Sequence, residues 1–198
     1  MKLSKGWIIA IVAVVFFFIL IMSSVGMYNG LVKLEEGVNG QWANVENVYQ
    51  RRSDLIPNLV NTVKGVANFE KSTLTDVIQA RANATAVKID PSNLSPEAIK
   101  KFEGAQNGLS SSLSRLMVVV EKYPELKATQ NFMELQSQLE GTENRIAVER
   151  RKFNESAQGY NANIRTFPRV IFARMFGFQK KAYFEAQAGA EKAPEVKF

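Results

Sequence analysis

The chain has 198 residues, 46% of them hydrophobic and 22% charged, a net charge of +6, and neither histidine nor cysteine. Those two absences exclude imidazole base catalysis, thiolate nucleophiles, imidazole or thiolate metal sites, and disulfides. The positive excess, +4 once Lys2 and Lys5 are set aside, is scattered as pairs (Arg51-Arg52, Lys100-Lys101, Arg150-Arg151, Lys180-Lys181) among acidic residues; solvated helix faces explain it, and no nucleic-acid partner is expected.

Residues 6–32 carry no charge, and every residue from Trp7 to Met22 is apolar. At 1.5 Å per residue, the stretch 6–27 spans a hydrocarbon core of about 30 Å. It is read as an uncleaved signal anchor behind a short stub, residues 1–5. The alternative is a cleaved secretory signal ending near Ser24 or Gly26, but the apolar run exceeds the 7 to 15 residues usual for a signal core. Without cysteine, a lipidated-cysteine anchor is excluded. Lys2, Lys5 and the terminal amine oppose a Lys33 that is followed by Glu35 and Glu36, so the N-terminus is expected in the cytoplasm and the remainder outside.

About 170 residues follow the anchor, enough for one domain with a real core. Leu31, Leu34, Val38, Trp42, Val45 and Tyr49, then Ile56, Leu59, Val63 and Val66, recur at steps of three and four, which predicts a long helix over 28–69. Arg52 stands where the stripe calls for an apolar residue, and Pro57 lies inside the pattern, predicting a kink between Asp54 and Pro57. Gly65 reads as a bend or cap. A second helix is expected over 72–87, capped by Ser72 or Thr73. After a Pro- and Ser-containing linker, Ser95-Pro96-Glu97 reads as an N-cap, an N1 proline and an acidic first turn. That third helix carries Ile99, Phe102, Leu109, Leu113, Leu116, Val119 and Val120 and stops at Tyr123-Pro124. A fourth runs from Phe132 through Leu139, Ile146, Phe153 and Tyr160 to end before Pro168. No useful period-two stretch occurs. The fold class expected is all-α: a single-pass N-terminal transmembrane helix followed, over 28–167, by an antiparallel up-down four-helix bundle with long first and last helices.

Such a topology returns the end of the fourth helix to the bilayer and leaves 168–198 membrane-proximal. The stretch 165–184 is dense in aromatic residues and cations. Arg169, Phe172, Arg174, Phe176, Phe178, Lys180 and Lys181 are therefore membrane-interface candidates; the plainer alternative is that the segment covers the open end of the bundle.

Arg51-Arg52-Ser53-Asp54-Leu55-Ile56-Pro57-Asn58-Leu59-Val60, Ala80-Arg81-Ala82, Tyr123-Pro124-Glu125-Leu126-Lys127-Ala128, the run from Glu143 to Arg151, Tyr160-Asn161, Phe167-Pro168 and the closing Ala193-Pro194-Glu195-Val196-Lys197-Phe198 resemble the LemA family of bacterial membrane proteins. The resemblance covers the whole region after the anchor and implies an anchored helical bundle. It implies no biochemical activity, since the family has none established.

Arg51, Arg52, Asp54 and Asn58, beside Pro57, are expected to face Arg145, Glu149 and Arg150 of the fourth helix. A structural ion-pair network is the simplest role, with Arg52 paired to Glu149 or Glu143; binding of an anionic ligand or partner is the alternative. Glu140 and Glu143 share a helix face but have no histidine beside them and read as solvated. Trp42 and Tyr49 read as core. No catalytic residue, metal or cofactor is assigned. The expectation is a non-enzymatic, membrane-anchored scaffold or adaptor that contacts other membrane proteins or copies of itself; the alternative is a membrane-remodelling or membrane-surface assembly protein acting through its C-terminal aromatic and basic segment.

Overall fold

The computed structural model describes residues 5–66 and 69–185, and every regular element among them is helical. Six helices follow in order: α1 Lys5–Lys64, α2 Lys71–Ala86, α3 Pro96–Val120, α4 Pro124–Lys127, α5 Gln130–Asn163 and α6 Arg169–Met175. The first departs from expectation in a way that matters. The apolar span and the amphipathic stripe form one helix of 60 residues, which continues through Pro57 and ends at Lys64, short of Phe69.

The apolar part of α1 is fully exposed, with a mean hydropathy of 2.8, and is long enough to cross a membrane. Trp7 and Tyr28 lie 21 residues apart on this helix, a rise of about 30 Å, which matches the thickness of a hydrocarbon core.

Beyond Tyr28 the helix acquires a buried face. Residue pairs between α1 and α5 run in opposite order: Tyr160 faces Glu35, Phe153 lies against Trp42, and Glu143 bonds Arg52. α2 packs on α3 and also reaches α1. The third helix begins as its sequence predicts, with the Ser95 hydroxyl accepting from the Ala98 amide at 3.3 Å and Pro96 at the first helical position. The expected cap of α2 does not form; Glu70 holds the N-cap position, and the Ser72 hydroxyl instead donates to the Glu70 carboxylate. The two short helices, α4 and α6, were not anticipated, because a single turn or two carries too little periodicity to register.

Two hydrophobic clusters make up the interior. One contains Trp42, Tyr49, Phe102, Ile146, Phe153 and Tyr160; the other contains Ile56, Leu59, Leu109, Leu116, Phe132 and Leu139. Between them, at the same height on three helices, lie Arg52, Gln106 and Thr142, all buried. The apolar stripes of α1 and α3 are interrupted at matching levels, and the interruptions meet.

Candidate functional site

At that level Arg52, 2% exposed, spreads its guanidinium across two neighbouring helices. Nη1 donates to Glu143 Oε2 at 2.8 Å and to Ser110 Oγ at 2.9 Å, and Nη2 donates to Gln106 Oε1 at 2.7 Å. The Gln106 amide passes the chain of bonds on to the Ala84 carbonyl of α2 at 3.4 Å. The Tyr49 ring lies 5.1 Å from the guanidinium carbon, and burial raises the Tyr49 phenol above its ordinary pKa against the opposing pull of Arg150 and Arg52. A buried cation of this kind is tolerated only when its donors are consumed. Here Nη1 and Nη2 are spent on α3 and α5, while Nε is buried without a hydrogen-bond partner among the described residues, so the node ties α1 to both helices at a fixed register.

One turn further on, Pro57 has no N–H to give the Ser53 carbonyl, its partner in an unbroken helix. Arg81 of α2 supplies the missing donor, Nε to Ser53 O at 2.8 Å. Two of the sequence motifs, the proline inside the first helix and Ala80-Arg81-Ala82, are therefore the two halves of one contact.

The C-terminal residues form the third feature. α6 ends on Gly177, whose φ of +77° is costly for any residue with a Cβ, and the Phe178 amide bonds back to the Ala173 carbonyl at 2.9 Å. From there the chain runs as an extended strap, 178–185, over α5. Asn161 and Asn154, two turns apart on α5, each clasp the strap backbone with a donor and an acceptor, at Lys181 and Phe184 respectively. The Ala182 amide bonds the Leu94 carbonyl at 3.0 Å. Phe184 stacks on Trp42, with 5.8 Å between ring centroids. Lys181, 3% exposed, pairs with Glu35 at 2.9 Å, and burial together with the Glu35 charge holds the adjacent Tyr160 phenol well above its ordinary pKa.

The expected set is thus only partly brought together. Arg52 meets Glu143, not Glu149, which instead accepts from Gln41 and Lys152; Glu143 is therefore more than a solvated carboxylate. Arg150 pairs with Glu103 of α3 and lies 4.6 Å from the Phe184 ring, while burial holds the Glu103 carboxyl above its usual range despite Arg150. Arg51, Asp54, Pro57, Asn58 and Arg145 are exposed. Of the membrane-interface candidates, Arg174, Phe176 and Lys180 are exposed, Arg169, Phe172 and Phe178 are half-buried, and Lys181 is buried. The placement of Lys181 at an interface is corrected: its charge is neutralised inside the protein by Glu35. The partners that the sequence reading missed are Ser110, Gln106, Glu103, Arg81, Asn154 and Asn161. Arg81 and Asn161 stand in the quoted motifs without a role, and Gln106 left a trace as the polar gap between Phe102 and Leu109 in the third stripe.

Among the described residues no group of three or more carboxylates is placed to hold a metal ion. The residues that build the node and the strap fall within the region matched by the model of the LemA family, residues 41–198. The chain belongs to the LemA family. Its relatives include the magnetosome protein MamQ of Magnetospirillum gryphiswaldense, 31% identical over 82% of this chain and 66% of that protein, and the magnetosome protein MamQ 2 of Paramagnetospirillum magneticum, 28% identical over 83% and 66%. Protein LemA of Metamycoplasma hominis is 24% identical over 82% of this chain and 70% of its own length. The chain thus spans about two thirds of the length of the two MamQ relatives. The closing signature of this LemA-family chain, 193–198, lies outside the described residues, as do Lys2 and the rest of the stub up to Ser4.

Proposed function

We propose that this LemA-family protein is a membrane-anchored scaffold without catalytic chemistry of its own, with α1, α2, α3 and α5 forming an antiparallel up-down bundle that contacts other membrane proteins or further copies of itself. One observation carries the reading: the helix long and apolar enough to cross a bilayer is the same helix that holds the core. From Tyr28 to Lys64 it rises about 55 Å, so the distal cluster is held at a fixed height above the membrane instead of hanging from a linker. The conspicuous charged residues support the same reading, since Arg52, Arg81, Arg150 and Lys181 are engaged within the protein. What faces outward is extended helix surface, including large apolar side chains at Ile78, Val118 and Met133, the kind of surface on which partner contacts are built. The test is capture of those contacts by photo-crosslinking from Val118 and Met133 in native membranes; covalent adducts are expected, and their absence contradicts the reading.

The flanking lysines support a cytoplasmic N-terminus, with the bundle on the far side of the membrane. Ser92 is exposed in the α2–α3 linker, and the natural chain has no cysteine. A Ser92→Cys chain in intact cells is expected to react with a membrane-impermeant maleimide. Protection that disappears only on lysis reverses the orientation and directs the partner search to the cytoplasm.

A further inference from the structure

α6 packs inward through Ala173, which is buried, and through half-buried Val170 and Phe172. The opposite face should be polar in a helix that ends in water. Instead Ile171 and Met175, four residues apart on the helix, are 54 and 63% exposed, and Phe167 just before the helix and Phe176 just after it are 82 and 53% exposed. Two exposed arginines, Arg165 and Arg174, flank this face, whereas Arg169 is held by the Asn163 side chain. The location of the patch says what covers it. The Phe176 ring packs edge-on against Tyr28 at 4.8 Å and Phe178 tilts against the same ring at 5.8 Å, which places α6 where the membrane-crossing part of α1 ends.

We propose that α6 is an interfacial helix: its apolar face sinks into the bilayer surface around the base of α1, and Arg165 and Arg174 engage the phosphates of anionic phospholipids. Apolar side chains seated between headgroups and acyl chains, with cations reaching the phosphates, is the arrangement by which short amphipathic elements bind membranes. Lys181 takes no part, and the strap beyond Phe178 leaves the membrane to run along α5. The inference rests on α1 crossing the bilayer, so the experiment tests the two separately.

Single cysteines replace Val14 in the span, Met175 on α6 and Met133 near the start of α5, each labelled with an environment-sensitive fluorophore on the full chain reconstituted in vesicles. The quencher is doxyl-labelled phosphatidylcholine, in vesicles of phosphatidylcholine alone or with phosphatidylglycerol. Quenching is expected at Val14 and Met175 but not at Met133. At Met175 it is expected to be stronger with phosphatidylglycerol, because each arginine near the surface favours anionic lipid by about fivefold, and Arg165→Gln with Arg174→Gln abolishes that difference. Quenching at Val14 with a water-exposed label at Met175 overturns the inference and leaves the anchor intact. So does quenching at Met175 that ignores phosphatidylglycerol. An unquenched Val14 overturns the anchor as well.

Discussion

Replacing Glu143 by alanine is expected to destabilise the helical packing more than replacing Arg52 by methionine, although Arg52 is the buried partner. The side chain of Arg52 is 3% exposed and that of Glu143 is 51% exposed. Removing the carboxylate strands a guanidinium in the interior, at a cost near the lower edge of the range for broken buried pairs, about 3 kcal/mol, because half of Glu143 already faces water. Removing the guanidinium lets Glu143 turn into solvent; the remaining penalty is the Gln106 oxygen without its donor, about 1–2 kcal/mol. The double replacement is expected to cost less than the sum of the two. Chemical denaturation of the full chain in detergent micelles measures all three. If Arg52→Met proves the more damaging change, Ser110, Gln106 and the Tyr49 ring compensate the charge without Glu143.

Arg81→Ala is expected to cost about 1–3 kcal/mol by orphaning the Ser53 carbonyl, and that cost is expected to shrink in a Pro57→Ala background. Alanine at 57 brings back the amide that an uninterrupted helix offers to Ser53, so the carbonyl no longer depends on α2. The sign of the coupling carries the argument, since independent sites add to within about 0.5 kcal/mol. Additive losses would mean that Arg81 stabilises α2 by some means other than completing the first helix.

The four long helices were legible because each has a buried stripe with a period near 3.6, and the start of α3 because Ser95-Pro96 is a strong local signal. Periodicity stops at the surface of each helix. It showed that Arg52 interrupts one stripe and left Glu143 and Glu149 equally eligible as partners, because only the relative heights of α1, α3 and α5 decide between them. The apolar span and the amphipathic stripe looked like two elements, since composition changes sharply at Tyr28 while the backbone does not. The strap was opaque for a different reason. Nothing local to Asn154 and Asn161 reveals that a backbone crosses them. By composition Phe184 and Lys181 belong with the aromatic and basic residues of α6, from which the structure separates them after Gly177.

A scaffold acts by what it touches, so the most direct measurement is the mass of covalent adducts formed in native membranes by a photo-crosslinking residue placed in turn at Ile78, Val118 and Met133. These side chains are 46, 68 and 51% exposed and lie outside both hydrophobic clusters, so substitution there leaves the packing in place. The account predicts a discrete adduct from at least one position, joining the 22.1 kDa chain to a second copy or to one distinct protein. A chain that stays at its own mass from all three positions, while labelled and folded in the membrane, would contradict it.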